Sequence, residues 1–353
     1  MKKFLLIALL STAAFGAATD SLKAGKAALK SAGPLAFGPD GVLFVGDTTG
    51  AQVVALDTAD RTPNSAVVKI QVSGVNQKIA AMLGTAADQI LVNDLVVNPI
   101  SKSIYISVSR GRGPEALPVI VKVDAAGKLS ELSLDNIRNA SVAIANAPAA
   151  NDRNRQSAIT DLSFVNGNVI VAGISNEEFS SNLRSIPFPF QTAARGASIE
   201  FYHGSHAQFE TNSPVRTFLP FTIGNQDYIL AAYTCTPLVK IPVSSLQAGA
   251  KVMGTTIAEL GAGNRPLDMI SYKKDGHDFI LMANSSRGVM KLQADKLDTY
   301  SAITKPVPDK AGIPYETMQA WTGVQQLEKV DNSTAVVLSA NAGSMDLRTM
   351  LLP

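Results

Sequence analysis

One cysteine, one tryptophan and three histidines in 353 residues leave little material for several common chemistries. With Cys235 alone the chain forms no internal disulfide, so its fold rests on core packing. Cys235 reads either as a small buried apolar residue or as a free thiol able to act as a soft ligand. Aromatic residues make up 6% of the chain, too few to supply stacking platforms for nucleic acid. The formal charge is +2, and Lys2 and Lys3 account for it, because the 29 acidic residues are otherwise matched by as many basic ones. A neutral chain carries no electrostatic footprint for DNA, RNA or an anionic membrane. There is no Gly-x-Ser-x-Gly elbow, no P-loop and no apolar run near the roughly 20 residues that a membrane span requires.

The N-terminus reads MKKFLLIALLSTAAFGAATD. Two lysines, an apolar run from Phe4 to Leu10 and then small residues are the layout of a secretory signal peptide. Cleavage is expected after Ala18, leaving residues 19–353 as one domain in the periplasm or outside the cell.

Beyond the leader, 46% of the chain is hydrophobic. Its apolar residues fall in short runs rich in Val and Ile, separated by Gly, Asn, Asp and Pro, which predicts strands and tight turns. The stretch GPLAFGPDGVLFVGDTTGAQVVALD (33–57) reads as strand, turn, strand, loop, strand. Similar units begin near residues 94, 160, 216, 267 and 320, a spacing of roughly 50 to 66 residues. Four short strands per unit at this period mark propeller blades, and six of them predict an all-β, six-bladed β-propeller. Fourth strands are placed between units at 66–72, 198–203 and 255–260. The last unit lacks one, and the segment 21–33 is expected to supply it as an N-terminal strand clasp; a short helix is the alternative there.

The GPLAFGPDGVLFVGD stretch resembles the strand–PDG–strand signature of six-bladed NHL-repeat and SMP-30/gluconolactonase-like propellers, and NDLVVNP resembles a blade start of the latter family. That resemblance implies a divalent metal near the channel, held by acidic and amide side chains at blade starts, and lactone hydrolysis. Asn93 and Asp268 would be the best-placed ligands. The first unit begins Gly33-Pro34-Leu35, with no glutamate where the resemblance implies one. The single tryptophan, Trp321, argues against eight-bladed quinoprotein dehydrogenases, and no histidine is placed at the channel for a six-bladed quinone-dependent sugar dehydrogenase.

In a propeller the blade starts and the loops between second and third strands share one face. The candidate ligand-binding residues there are Asn93, Asp94, Arg110, Asp161, Glu177, Arg216, Cys235, Asp268, Asn284 and Arg287. Asp94, Asp161 and Asp268 occupy equivalent places. Their carboxylates either bond local backbone and arginines, or converge with Asn93 on a cation such as Ca²⁺. Arginine partners, drawn from Arg216, Arg110 and Arg287, are favoured. His203 and His206, three apart in an extended strand, are expected on opposite faces and not on a shared metal. Two functions follow: binding of a small molecule, glycan or protein through the loop-rich channel face, or Ca²⁺-assisted hydrolysis of the lactonase type.

Overall fold

Each apolar run of the sequence becomes a strand because its alternate residues face different neighbouring sheets, and in this molecule both faces are covered. Val42–Asp47 is buried along its whole length. In the computed structural model, which describes residues 18–192 and 195–353, these strands form six mainly antiparallel sheets around a central channel, a six-bladed β-propeller. The signal peptide expected over residues 1–18 lies, except for Ala18, outside the described residues.

Numbered along the chain, blade 1 carries inner strands Leu35–Phe37, Val42–Asp47 and Gln52–Asp57. Pro39-Asp40-Gly41 makes the first turn, with Asp40 and Gly41 at φ of 55° and 71°, a conformation that Gly and Asp tolerate best. Blade 2 runs Ile90–Val97, Ile104–Arg110, Leu117–Val123, Leu129–Glu131. Blade 3 has Asp161–Val165, Asn168–Ile174, Ser181–Pro187 and Ala197–His203, and blade 4 has Thr217–Ile223, Gln226–Ala232, Pro237–Pro242 and Thr255–Leu260. The fourth strands expected near 198–203 and 255–260 are therefore present. Blade 5 begins at Pro266–Lys274 and blade 6 at Val324–Lys329.

The blades do not follow one another in chain order. Six apolar clusters fill the six interfaces. One joins blades 1 and 2 through Leu43, Val45 and Tyr105, and another joins blades 1 and 3 through Phe44, Val53 and Phe188. A third joins blade 2 to blade 6 through Val108, Val121, Val336 and Leu347. The remaining three join blades 3 and 4, 4 and 5, and 5 and 6. The ring order is therefore 2, 1, 3, 4, 5, 6 and back to 2. Burying one such Val, Leu or Phe side chain contributes about 1.5–3 kcal/mol, so the interfaces carry the fold.

Strand donation matches this order. After blade 1 the chain crosses to the far side of blade 2 and gives Gln71–Val72 to the outer edge of blade 6, pairing Val72 with Leu347 and Gln71 with Arg348. It then builds blade 2 and returns, and Ile137–Ala143 becomes the fourth strand of blade 1. The strand at 71–72 thus serves blade 6, not the unit it follows. The clasp expected from 21–33 is also elsewhere. Lys23–Gly25 pairs with Ile137–Asn139 on the outside of blade 1. The buried Asp47 accepts hydrogen bonds from the backbone N–H groups of Lys30 and Ser31, at 2.9 and 2.8 Å, which ties this segment to blade 1. The ring is closed instead by 70–76. Thr349 N–H donates to Ile70 O, Gly74 N–H to Asp346 Oδ1, and Met345 N–H to Asn76 Oδ1.

Candidate functional site: the channel collar and its basic mouth

One residue on or just before each innermost strand lines the channel. In ring order these are Asp94, Pro34, Asp161, Thr217, Asp268 and Gln326, and all six line one chamber of about 150 Å³. Carboxylates and neutral residues alternate, so the collar has approximate three-fold symmetry.

Each aspartate uses its oxygens alike. One accepts from the N–H of the next residue in its own strand: Leu95, Leu162 or Met269, at 2.8, 2.8 and 2.7 Å. The other accepts from the neighbouring blade: Leu35, Phe218 or Leu327, at 2.7, 2.7 and 2.8 Å. The three side chains therefore staple blade 2 to 1, 3 to 4, and 5 to 6. With its amide nitrogen turned inward, Gln326 donates to Asp94 Oδ1 at 3.0 Å and Asp268 Oδ2 at 2.9 Å. Among the described residues no arginine pairs with these carboxylates, whose oxygens accept instead from backbone N–H groups and, at Asp94 and Asp268, from Gln326.

The electrostatic cost shows in the titration of these groups. Removal from water raises the Asp94 carboxyl well above the usual range, helped by the charges of Asp268 and Asp161. Burial raises Asp161 to about 8 and Asp268 to about 7. Glu328, one step further down the channel, is pushed up to about 7 by burial and by Asp268. A carboxyl holds its proton when solvent and counter-charge are both withheld.

Above the collar the channel opens into a mouth of about 640 Å³. Lys30, Arg112, Arg155, Arg216 and Arg265 line it, and among the described residues no acidic one does. Arg155 is held rigid by the backbone carbonyls of Thr48, Thr49 and Pro148. Arg216 rests its Nε on Thr234 Oγ1 at 3.1 Å. Its guanidinium pKa is lowered by burial and by the charge of Arg265 beside it. Neither Arg216 nor Arg265 belongs to an ion pair among the described residues. Asn93, Ser31, Ser109 and Thr160 add uncharged polar groups to the wall. Two unpaired cations beside hydroxyls and amides can hold an anion that also carries hydroxyl groups.

The structure brings together Asn93, Asp94, Asp161, Arg216 and Asp268. Asn93 uses its amide nitrogen on Ala32 O and Ser109 Oγ. Arg110, Glu177, Cys235, Asn284 and Arg287 line neither chamber nor mouth. Glu177 pairs with Arg195 and Asn146, while Arg287 bonds Ala262 O and Asp309. Asn284 is locked to Asn264 and Met282 O. Cys235 sits half-buried in a turn at φ 65°. Arg155, Arg265, Gln326 and Glu328 are not singled out by the sequence pattern, whereas Arg112, in the SRGRGPEALP loop, is. For Gln326 a signal existed: it precedes Leu327 in blade 6 as Asp94 precedes Leu95 in blade 2.

The histidines depart from expectation. His203 and His206 are not on opposite faces, because Gly204–His206 is a single 3₁₀ turn and not extended strand. Their ring centroids are 3.9 Å apart. They lie at the outer edge of blade 3, away from the channel strand.

No protein-family model and no curated protein matches the sequence. Among solved structures the chain is similar in shape to a glucose dehydrogenase, at 12% identity, with 94% of this chain and 98% of that chain covered and a TM-score of 0.39. It is also similar to the PQQ-bound form of an aldose sugar dehydrogenase from Streptomyces coelicolor, at 9% identity, 94% and 97% coverage and a TM-score of 0.34. A GH43 glycoside hydrolase matches at 14% identity over 75% of this chain and 51% of that chain, with a TM-score of 0.37. These likenesses concern the propeller shape. Among the described residues no helix is long and apolar enough to cross a membrane.

Proposed function

We propose that this propeller is an exported binding protein whose channel mouth takes a small hydroxylated anion, such as an acidic sugar or a sugar phosphate. The observation that carries the reading is the pair Arg216 and Arg265, which belong to no ion pair among the described residues and line both the basic mouth and the collar chamber beneath it. Two like charges kept side by side cost free energy that an anionic ligand between them would offset. Asn93, Ser31, Ser109 and Thr160 would select for hydroxyl groups on that ligand. Export rests on the leader at 1–18 and places the protein in the periplasm or outside the cell.

Binding is favoured over lactone hydrolysis because general acid–base work needs a carboxyl free to meet substrate. In the collar both oxygens of Asp94, Asp161 and Asp268 are engaged by backbone N–H groups. The same engagement leaves Asp94, Asp161 and Asp268 fewer lone pairs for Ca²⁺. Titration calorimetry against hexuronates, hexose phosphates and the matching neutral hexoses tests the reading. Anionic sugars should bind and neutral ones should not, and Arg216→Ala with Arg265→Ala should abolish binding while leaving the melting temperature within a few degrees. Equal binding of neutral and anionic sugars, or binding that survives the double variant, refutes it.

A further inference from the structure

At the outer edge of blade 3 the chain leaves Ala197–His203, makes the Gly204–His206 turn, passes Ala207 at φ 56° and pairs back as Gln208–Glu210. A 3₁₀ turn has three residues per revolution, so residues three apart stand over one another. This stacks His203 and His206, and the hairpin brings Glu210 against both. Glu210 Oε1 lies 2.8 Å from His203 Nδ1 and 2.6 Å from His206 Nδ1. One donor atom from each of the three residues falls within 4.8 Å of the others.

The proton count around His203 is the informative feature. This side chain is 1% exposed, and its Nε2 has no hydrogen-bond partner. A second carboxylate, Glu259 Oε2 from the fourth strand of blade 4, lies 3.7 Å from Nε2. Glu259 is fixed there by Gly204 N–H at 2.6 Å and Ser205 Oγ at 3.1 Å. A neutral imidazole has one N–H to offer two carboxylates. If Nδ1 donates to Glu210, a bare Nε2 lone pair faces Glu259, and a buried polar atom left so costs about 1–3 kcal/mol.

We propose that His203 Nδ1, His206 and Glu210 bind a zinc-class divalent transition-metal ion, with Glu259 as the carboxylate behind His203. Metal at Nδ1 puts the single imidazole proton on Nε2, turned toward the Glu259 carboxylate 3.7 Å away. That is the carboxylate–histidine–metal arrangement that fixes tautomer and ring orientation in metal sites. Two imidazoles and one carboxylate are a donor set of the zinc type, and three protein ligands leave a fourth position for water. Ser213 Oγ holds the second oxygen of Glu210 and orients it. His206 is 45% exposed, so an ion has a path in from solvent. The ion would tie the tip of blade 3 to blade 4 through Glu259, independently of any ligand at the channel mouth.

The test uses the full purified chain, stripped with chelator and dialysed. Calorimetry should show one Zn²⁺ bound per chain, and Co²⁺ should give the visible d–d absorption of a four-coordinate nitrogen–oxygen site. His206→Ala, at an exposed position, should keep the metal-free melting temperature and lose Zn²⁺ affinity by at least about tenfold. Glu259→Gln, which leaves all three ligands, should weaken it by about 10–100-fold. Wild-type protein that binds no Zn²⁺, or Zn²⁺ affinity unchanged by His206→Ala, overturns the proposal and leaves His203 as an imidazolium between two carboxylates.

Discussion

Replacing Asp161 by Asn tests the collar most directly, because it removes a titrating group and keeps its shape. In the folded protein the Asp161 carboxyl holds its proton to about pH 8, whereas in the unfolded chain it releases it near 3.8. Between those values folding takes up a proton. The stability contributed by the group is therefore complete below about pH 4 and is lost as pH rises toward 8. The slope within that window is about 1.4 kcal/mol per pH unit. Unfolding entropy of about 2.1 cal/mol/K per residue gives about 0.7 kcal/mol per kelvin for a chain of this size, so the slope is about 2 °C of melting temperature per pH unit.

The asparagine has one acceptor oxygen for the two N–H groups of Leu162 and Phe218 that Asp161 serves. One N–H then faces the amide nitrogen, at a cost of about 1–3 kcal/mol that does not vary with pH. At pH 4 the variant should melt about 1–4 °C below the parent. As pH rises the parent loses ground and the variant does not, so the two curves should cross between roughly pH 5 and 7. Calorimetric melts at half-unit steps from pH 4 to 8 measure this. Parallel curves would mean that Asp161 titrates alike in folded and unfolded chains, and the desolvation argument for the collar would fail.

Phe44 is fully buried between blades 1 and 3 and touches the rings of Phe164 and Phe188. Phe44→Ala should cost about 3–5 kcal/mol, read as a fall of roughly 4–7 °C in calorimetric melting. At the closure, Asn76 accepts from Met345 N–H and donates to Gly343 O. Asn76→Ala should lower stability by about 1–3 kcal/mol and speed hydrogen exchange at the outer edge of blade 6. Deleting 19–25 should instead loosen exchange over Ile137–Ala143 and leave blade 6 protected, since Lys23–Gly25 pairs only there; fraying of blade 6 would refute the assignment of the clasp.

The sequence repeat made the number of blades legible, because each blade is a local meander whose turns carry their own chemistry, as at Pro39-Asp40-Gly41. It also exposed Asp94, Asp161 and Asp268 as equivalents. What it did not carry was non-local. Gln71–Val72 looks like the fourth strand of blade 1 because it follows blade 1, yet the true fourth strand, Ile137–Ala143, comes from beyond blade 2. Strand pairing across such separations is set by which apolar faces remain open, which no local pattern records. The backbone partners of the aspartates were hidden for the same reason, since Leu35 and Asp94 meet only in the ring. At His203 the error was local: His-x-x-His was read with the period of a strand, while Gly204 let the chain turn there.

The order of blades and the order of charges explain each other. Along the chain the aspartates fall in units 2, 3 and 5, an irregular series. Around the ring, with blade 2 set between blades 6 and 1, they fall on every second blade. A carboxylate has two oxygens and can join two strands, so three of them serve six inner strands, and a fourth would find every N–H taken. Pro34 stands at the neutral position between Asp94 and Asp161. Pro34→Asp should put an unpartnered charge there and destabilise the ring by several kcal/mol at pH 8, where Pro34→Asn costs less. Near pH 4, with the carboxyls protonated, the two variants should melt alike. A gap between them that stays constant from pH 4 to 8 would show that the alternation is steric in origin, and not a device for keeping like charges apart.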